Sequence, residues 1–199
     1  WGEHRVANLC AFTDIRELQR RKYELVIVAV KSYDTENVAR ILEPCVDENT
    51  FLCSYQNGLG NAEILADHYG WQRIVGARVI FGARVNCPGE VEITVIAEPT
   101  AVGAYRDGAP DAKAKVIAEI MNESGIPTFY TDRIQTLLWS KVAYNCALNP
   151  LSALLDAPYG RLAEEDYTRR LMEEVILELY AVGTAMGISL DPADGDGYI

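Results

Sequence analysis

The sequence predicts an α/β fold, an open and mostly parallel sheet crossed by helices, followed by the beginning of an all-helical region. Three observations predict it. Residues 23–30 (YELVIVAV) and 50–55 (TFLCSY) are short, nearly continuous apolar runs rich in β-branched and aromatic side chains, the pattern of strands covered on both faces. Each run leads into a helical pattern, and this order favours right-handed crossovers between parallel strands. After residue 130 no strand pattern recurs, and the remainder reads as helix. A boundary near Asp132 therefore divides the chain into residues 1–132 and residues 133–199.

In chain order, residues 6–12 read as a short strand and residues 14–22 as a charged helix that Thr13 can cap. The run at 23–30 reads as a central parallel strand and ends abruptly at Lys31-Ser32. Residues 34–42 are the next helix, closed by Pro44. The second buried strand, 50–55, ends at Gln56-Asn57-Gly58, and residues 59–69 are helical. Residues 74–85 form a third apolar run. Cys87-Pro88-Gly89-Glu90 is a turn, and residues 91–97 and 101–105 read as an antiparallel pair turning at Glu98-Pro99-Thr100. Residues 111–123 form an amphipathic helix stopped by Gly125, and 128–130 is a short strand. The helical region opens with residues 137–155 and continues with a long helix over 163–186, with Gly187 as its C-cap. The acidic, glycine-rich tail from Asp191 is loop-like.

Composition narrows the function classes. Hydrophobic residues make up 49% and charged residues 24%, which is ordinary for a soluble globular chain. The formal net charge of −11 argues against a general binder of nucleic acid or anionic membrane, although one local lysine can still hold a small anion. No apolar run approaches the roughly 20 residues needed to span a bilayer, and the chain begins at Trp1 with no signal peptide. The five cysteines, Cys10, Cys45, Cys53, Cys87 and Cys146, are odd in number and never spaced as C-x-x-C. They read as reduced core thiols of a cytoplasmic protein, not as metal ligands. His4 and His68 have no partner at ligand spacing and read as solvated or capping.

The most informative stretch is residues 137–155, LLWSKVAYNCALNPLSALL. Lys141, Asn145 and Asn149 recur at i, i+4 and i+8, so a helix stacks them on one face. An apolar stripe thus turns polar without leaving a hydrophobic helix. A lysine and two amides placed there must meet each other, water or a ligand, because unpaired buried polar groups are costly. Two plainer readings stand beside this one. Lys141 can snorkel to water. Asn149-Pro150 can be an N-cap and N1 pair that breaks the helix. Lys31 and Asn57 follow successive strands, and in α/β sheets ligands lie beyond the carboxyl ends of strands. Lys31 also reads as a solvated loop lysine, and Asn57-Gly58 as ordinary turn chemistry.

Taken together, VAVK ending at Lys31, QNGLG at residues 56–60, VNCPGEV at 85–91 and LLWSKVAYNCALNPLSAL at 137–154 resemble the ketopantoate reductase family (2-dehydropantoate 2-reductases). Each motif alone is weak, but their order and spacing over almost the whole chain are specific. The resemblance implies a Rossmann-type domain followed by a helical domain, with the active site between them. It also implies reduction of the small-molecule 2-keto acid 2-dehydropantoate with NADPH, toward pantothenate and coenzyme A. By motif, Lys141 resembles the family's proton donor. Asn145 and Asn149 resemble its substrate-binding asparagines, with Ser152 where a hydroxyl supports them. Lys31 and Asn57 resemble residues at the nicotinamide end of the cofactor, and Asn57 borders the substrate as well. Gly82 matches a position where the backbone approaches the cofactor. No metal, nucleic acid or membrane is implied, and the assembly it allows for is a homodimer.

Departures from the pattern matter equally. The family's first strand, its G-x-G-x-x-G turn and the basic residue that selects a 2′-phosphate are absent from this sequence. So are a serine and a glutamate expected on later helices. The chain therefore reads as the middle of a longer enzyme, trimmed at both ends and inactive alone. Tyr159 stands where members often carry a third substrate asparagine, before Gly160. This opens two alternatives: a related dehydrogenase acting on another 2-keto acid, an opine or a sugar phosphate, and a non-catalytic binding fragment that keeps the fold.

Overall fold

The computed structural model describes residues 2–18, 22–106 and 109–190. Its strands are β1 (Leu25–Val28), β2 (Phe51–Ser54), β3 (Ile74–Arg78), β4 (Phe81–Cys87), β5 (Glu90–Ile96), β6 (Thr100–Ala104) and β7 (Thr128–Tyr130). Its helices are α1 (Thr35–Leu42), α2 (Asn61–Tyr69), α3 (Asp111–Glu123), α4 (Ile134–Leu155), α5 (Tyr159–Glu164) and α6 (Asp166–Ala185). The main sheet runs β1-β2-β3-β6-β7. The first three strands are parallel, β6 is antiparallel to β3, and β7 is parallel to β6. The carboxyl ends of β1, β2 and β3 therefore share one end of the sheet, where the sequence places Lys31 and Asn57.

Strand alternation sends successive side chains to opposite faces, and the two cores divide accordingly. Leu52, Ile74 and Ala101 pack with Ala39 and Leu42 of α1, Leu65 of α2, and Ile134 and Leu138 of α4. Cys53, Val75 and Val102 pack with Ala114, Ile117 and Met121 of α3. A third core, of Trp139, Ala143, Ala147, Leu162, Met172, Ile176 and Tyr180, joins α4, α5 and α6. Trp139 and Ala143 thus face the other helices, while Leu138, on the same helix, faces the sheet.

Two contacts set the position of α4. Gly76 of β3 and Gly103 of β6 are register partners. A Cβ on Gly76 would lie 3.1 Å from the Ile134 side chain, and one on Gly103 would lie 2.2 Å from the Thr131 carbonyl. The two glycines let the start of α4 sit directly on the sheet. From Ile134 to Lys141 the helix advances about 10 Å at 1.5 Å per residue. From Gly76 to Val79 a strand advances about 10 Å at 3.3 Å per residue. Lys141 consequently arrives level with the carboxyl end of β3.

Several expectations need correction. The run at 23–30 is expected to be central, whereas among the described residues β1 lies at the edge of the sheet, paired with β2, and Ile27 is 45% exposed. The apolar run signals faces suited to burial, but α3 lies over β6 and β7, not over β1. Residues 6–12 form no strand. The helix expected at 14–22 is, among the described residues, a 3₁₀ turn at Ile15–Glu17. Its cap is Asp14, whose carboxylate accepts from the Arg16 backbone N–H at 2.9 Å, and not Thr13. The run at 74–85 splits into β3 and β4. β5 then pairs with β4 instead of β6, because the Pro88-Gly89 turn closes that hairpin while β6 returns to the main sheet. Finally, α4 runs unbroken through Pro150. Asn149 is therefore inside a helix and does not cap one. Only Cys45 and Cys53 are core thiols, with burial pushing Cys53 up to about 12, whereas Cys10, Cys87 and Cys146 are exposed and free. The tail from Asp191 lies outside the described residues.

Candidate active site

The loops that follow β1 and β2 are tied together by a polar network. Gln56, buried, donates through Nε2 to the Val30 carbonyl at 3.1 Å and to Thr35 Oγ1 at 2.7 Å. Thr35, also buried, donates to Asn61 Oδ1 at 2.8 Å. Asn61 Nδ2 donates to Ser32 Oγ at 3.2 Å and to the Asn57 carbonyl at 3.1 Å, and Ser32 Oγ donates to that same carbonyl at 3.2 Å. Every member has a partner, so the network rigidifies two loops that would otherwise be held only by their strands. Gly58 and Gly60 take φ of +88° and +91°, where an L side chain would be strained, and let the chain turn sharply from β2 into α2. Asn61→Ala would leave the Thr35 hydroxyl without its acceptor. It is expected to cost about 1–3 kcal/mol in urea unfolding of the full-length protein, with an unchanged midpoint counting against the network.

Lys141 enters this assembly from the other side. Its Nζ donates to Asn57 Oδ1 at 2.6 Å and to the carbonyl of Val79, one residue past β3. Residues far apart in sequence thus meet at one point, with the lysine half-buried between the helix and the strand ends. Burial first, and the positive charge of Arg78 second, hold its ammonium below the ordinary lysine value. The amide of Asn57 orients the ammonium without neutralising it. This arrangement retains a proton that a reacting oxygen could accept.

The other predicted residues are placed less uniformly. Lys31 is exposed just beyond β1, at the start of the turn whose Ser32 bonds to Asn57. Asn145 is partly buried one turn beyond Lys141. Asn149, a turn further, is exposed and accepts a hydrogen bond from the Tyr159 hydroxyl at 2.5 Å. Tyr144 packs edge-on against the Tyr159 ring, with centroids 5.9 Å apart. Ser152 donates to the Ala157 carbonyl at 2.6 Å, fastening the turn after α4. Gly82 lies on β4, where a Cβ would meet Thr94 Oγ1 at 2.6 Å and Val95 Cγ1 at 3.0 Å; hairpin packing therefore accounts for glycine there. Sequence reasoning singled out neither Gln56, Thr35 and Asn61 nor Arg78. The signal available was a polar side chain at an otherwise apolar position, and in Gln56 and Arg78 it ends a buried strand.

The strand ends suit the nicotinamide end of a dinucleotide. The turn backbone at Gly58 and Gly60 is open, with nothing within 4 Å of where a Cβ would be. The exposed Lys31 and Asn57 side chains flank it. The residues present fit such a group at that end.

Comparison with known proteins identifies the family. The model of the family described as Ketopantoate reductase PanE/ApbA matches residues 2–107, and that of its C-terminal domain matches residues 133–199. A 2-dehydropantoate 2-reductase of Aquifex aeolicus is 40% identical over 182 residues, which is 92% of this chain and 58% of that protein. One from Halobacterium salinarum is 36% identical over 167 residues, covering 84% of this chain and 54% of that one. The crystal structure of 2-dehydropantoate 2-reductase from Geobacter metallireducens superposes with a TM-score of 0.79 at 28% identity, covering 89% of this chain and 58% of that one. The chain thus spans somewhat more than half the length of the curated relatives it matches. With both halves of the family pattern matched in order, the chain belongs to the ketopantoate reductase family.

Proposed function

We propose that the full-length enzyme containing this chain reduces 2-dehydropantoate to pantoate with NADPH, with Lys141 as the proton donor. The observation that carries this reading is the contact of Lys141 with Asn57 and the Val79 carbonyl at the carboxyl ends of the parallel strands. Reduced nicotinamide, when bound, supplies a hydride to the ketone carbon. As the C=O π bond opens, its electron pair moves to oxygen, and the Lys141 ammonium stabilises that charge and delivers the proton. Lysine is left neutral and regains a proton from water. Asn57 holds Nζ in place, while Asn145 and Asn149 offer amides to the hydroxyl and carboxylate groups of the keto acid. Lys31 lies on the rim at the cofactor side, the backbone at Gly82 on β4 approaches the cofactor, and Ser152 steadies the end of the helix that carries the asparagines. On this reading residues 1–132 belong to a cofactor domain and residues 133–199 begin a substrate domain. The enzyme is cytoplasmic and works as a homodimer.

The test is steady-state activity of the full-length enzyme across a panel of 2-keto acids with NADPH and NADH. Highest kcat/KM for 2-dehydropantoate with NADPH supports the reading, and a clear preference for another keto acid or for NADH replaces it. Tyr159 gives the alternative substrate some weight, because its hydroxyl occupies one acceptor position of Asn149. Tyr159→Phe is expected to change kcat/KM for the preferred acid by about 5–10-fold, the worth of one hydrogen bond, mostly through KM. An equal loss in kcat alone would instead place Tyr159 among the groups that act only in the transition state.

A further inference from the structure

Arg78 closes β3 and is only 7% exposed. A guanidinium carries five donors and cannot shed its charge, so burying one demands acceptors. Here one is supplied by Glu98, between β5 and β6, with Nη2 2.6 Å from Oε2. The Nε atom is buried with no acceptor among the described residues. A buried guanidinium whose carboxylate partner is half exposed and whose Nε donor is unmet is a poor way to stabilise a strand end, where an apolar side chain of similar volume serves as well or better. The arrangement calls for another reason, and its neighbourhood supplies one. Val79, the next residue, gives its carbonyl to Lys141 Nζ.

The charged side chains on the elements around Lys141 are Lys31 and Asp34 beyond β1, Glu63 and Asp67 on α2 with His68 beside them, Arg78 on β3, Arg84 on β4, Glu90 and Glu92 on β5, and Glu98 after it. Arg84 is engaged by Glu92 at 2.7 Å on the exposed hairpin. After burial, Arg78 is the group whose charge acts on Lys141. Like charge destabilises the ammonium and favours the neutral amine that remains once the proton has been given up. Glu98 restrains that effect: it pins the guanidinium and offsets part of its charge.

We propose that Arg78 is a positioning residue for Lys141: clamped by Glu98 at the end of β3, it keeps a fixed positive charge beside the ammonium and makes the lysine a readier proton donor. The role in turnover rests on Lys141 being the general acid, as proposed above. Two readouts on the full-length enzyme separate the two ideas. One is NMR titration of the Lys141 side chain with [ε-13C]lysine, assigned by its loss in Lys141→Ala. The other is the pH profile of kcat/KM, whose alkaline limb reports the acid that must stay protonated. Arg78→Met removes the charge, so both the Lys141 midpoint and the alkaline limb move to higher pH. Arg78→Lys keeps the charge and stays near the parent. Glu98→Gln unmasks Arg78 and moves both to lower pH. A purely structural role gives no such opposed pair of shifts. If the Lys141 midpoint is unmoved, or moves the same way in Arg78→Met and Glu98→Gln, the inference is overturned. If it moves as expected while the kinetic limb does not, the effect of Arg78 stands and Lys141 is not the acid. Should Arg78→Met fail to fold, Glu98→Gln, at a side chain 56% exposed, carries the test alone.

Discussion

Lys141→Ala in the full-length enzyme is expected to lower kcat by about 10²–10⁴-fold, the usual worth of a positioned general acid. In barrier terms that is about 3–5 kcal/mol. The fold should survive, because the side chain lies half-buried between α4 and the strand ends and belongs to none of the three hydrophobic cores. The substitution leaves Asn57 Oδ1 and the Val79 carbonyl without their donor. Asn57 is exposed and Val79 only partly buried, so water can take the place of the donor and thermal stability should fall little. Lys141→Arg is the sharper variant. It keeps the positive charge but cannot release a proton near neutral pH. If the lysine acts only as a fixed charge, arginine restores much of the rate; if it donates the proton, arginine is nearly as slow as alanine. Single-turnover kinetics isolate the chemical step from product release. An unchanged rate in Lys141→Ala removes the lysine from the chemistry.

The sequence made the ingredients of this site visible, but not the whole assembly. Lys141, Asn145 and Asn149 were legible because helical periodicity is local: a spacing of four residues puts them on one face wherever the helix goes. Lys31 and Asn57 were legible because strand ends are marked by the stop of an apolar run. The meeting of Asn57 with Lys141 could not be read from periodicity, since it depends on where α4 sits on the sheet. That is decided by Gly76 and Gly103, which look like unremarkable strand glycines in the sequence. The buried network of Gln56, Thr35 and Asn61 was hidden for a related reason. A polar residue beside a turn looks solvated until the neighbouring loop is brought against it. Strand pairing failed in the same way. The alternation of residues 91–97 identifies a strand but not its partner, and the tight turn at Pro88-Gly89 assigned it to β4.

Gly103→Ala should be the most damaging of the glycine substitutions at the helix–sheet junction. The new Cβ would lie 2.2 Å from the Thr131 carbonyl oxygen and 2.9 Å from Ile134 Cβ. Neither is the free end of a flexible side chain, so the methyl can be accommodated only by lifting the start of α4 from β6. Overpacking of this kind costs about 1–3 kcal/mol and occasionally more. At about 2–4 °C per kcal/mol for a protein of this size, Tm should drop by roughly 2–12 °C. Gly76→Ala, with its nearest contacts at 3.1 Å to the side chains of Ile134 and Tyr105, should cost less because side chains can give way. Gly160→Ala, with nothing within 4 Å inside α5, should be neutral or stabilising by about 0.5–1 kcal/mol. The order of effect is thus Gly103, then Gly76, then Gly160. The same displacement should reach the chemistry. Lys141 rides on the helix that Gly103 admits to the sheet, and a shift of about 1 Å at a reacting group can cost about 10²-fold in rate. Gly103→Ala should therefore lower kcat as well as Tm, while Gly160→Ala leaves kcat intact. Should Gly103→Ala match the parent in both Tm and kcat, α4 is not seated on β6 at this point, and the route by which Lys141 reaches Asn57 must be different.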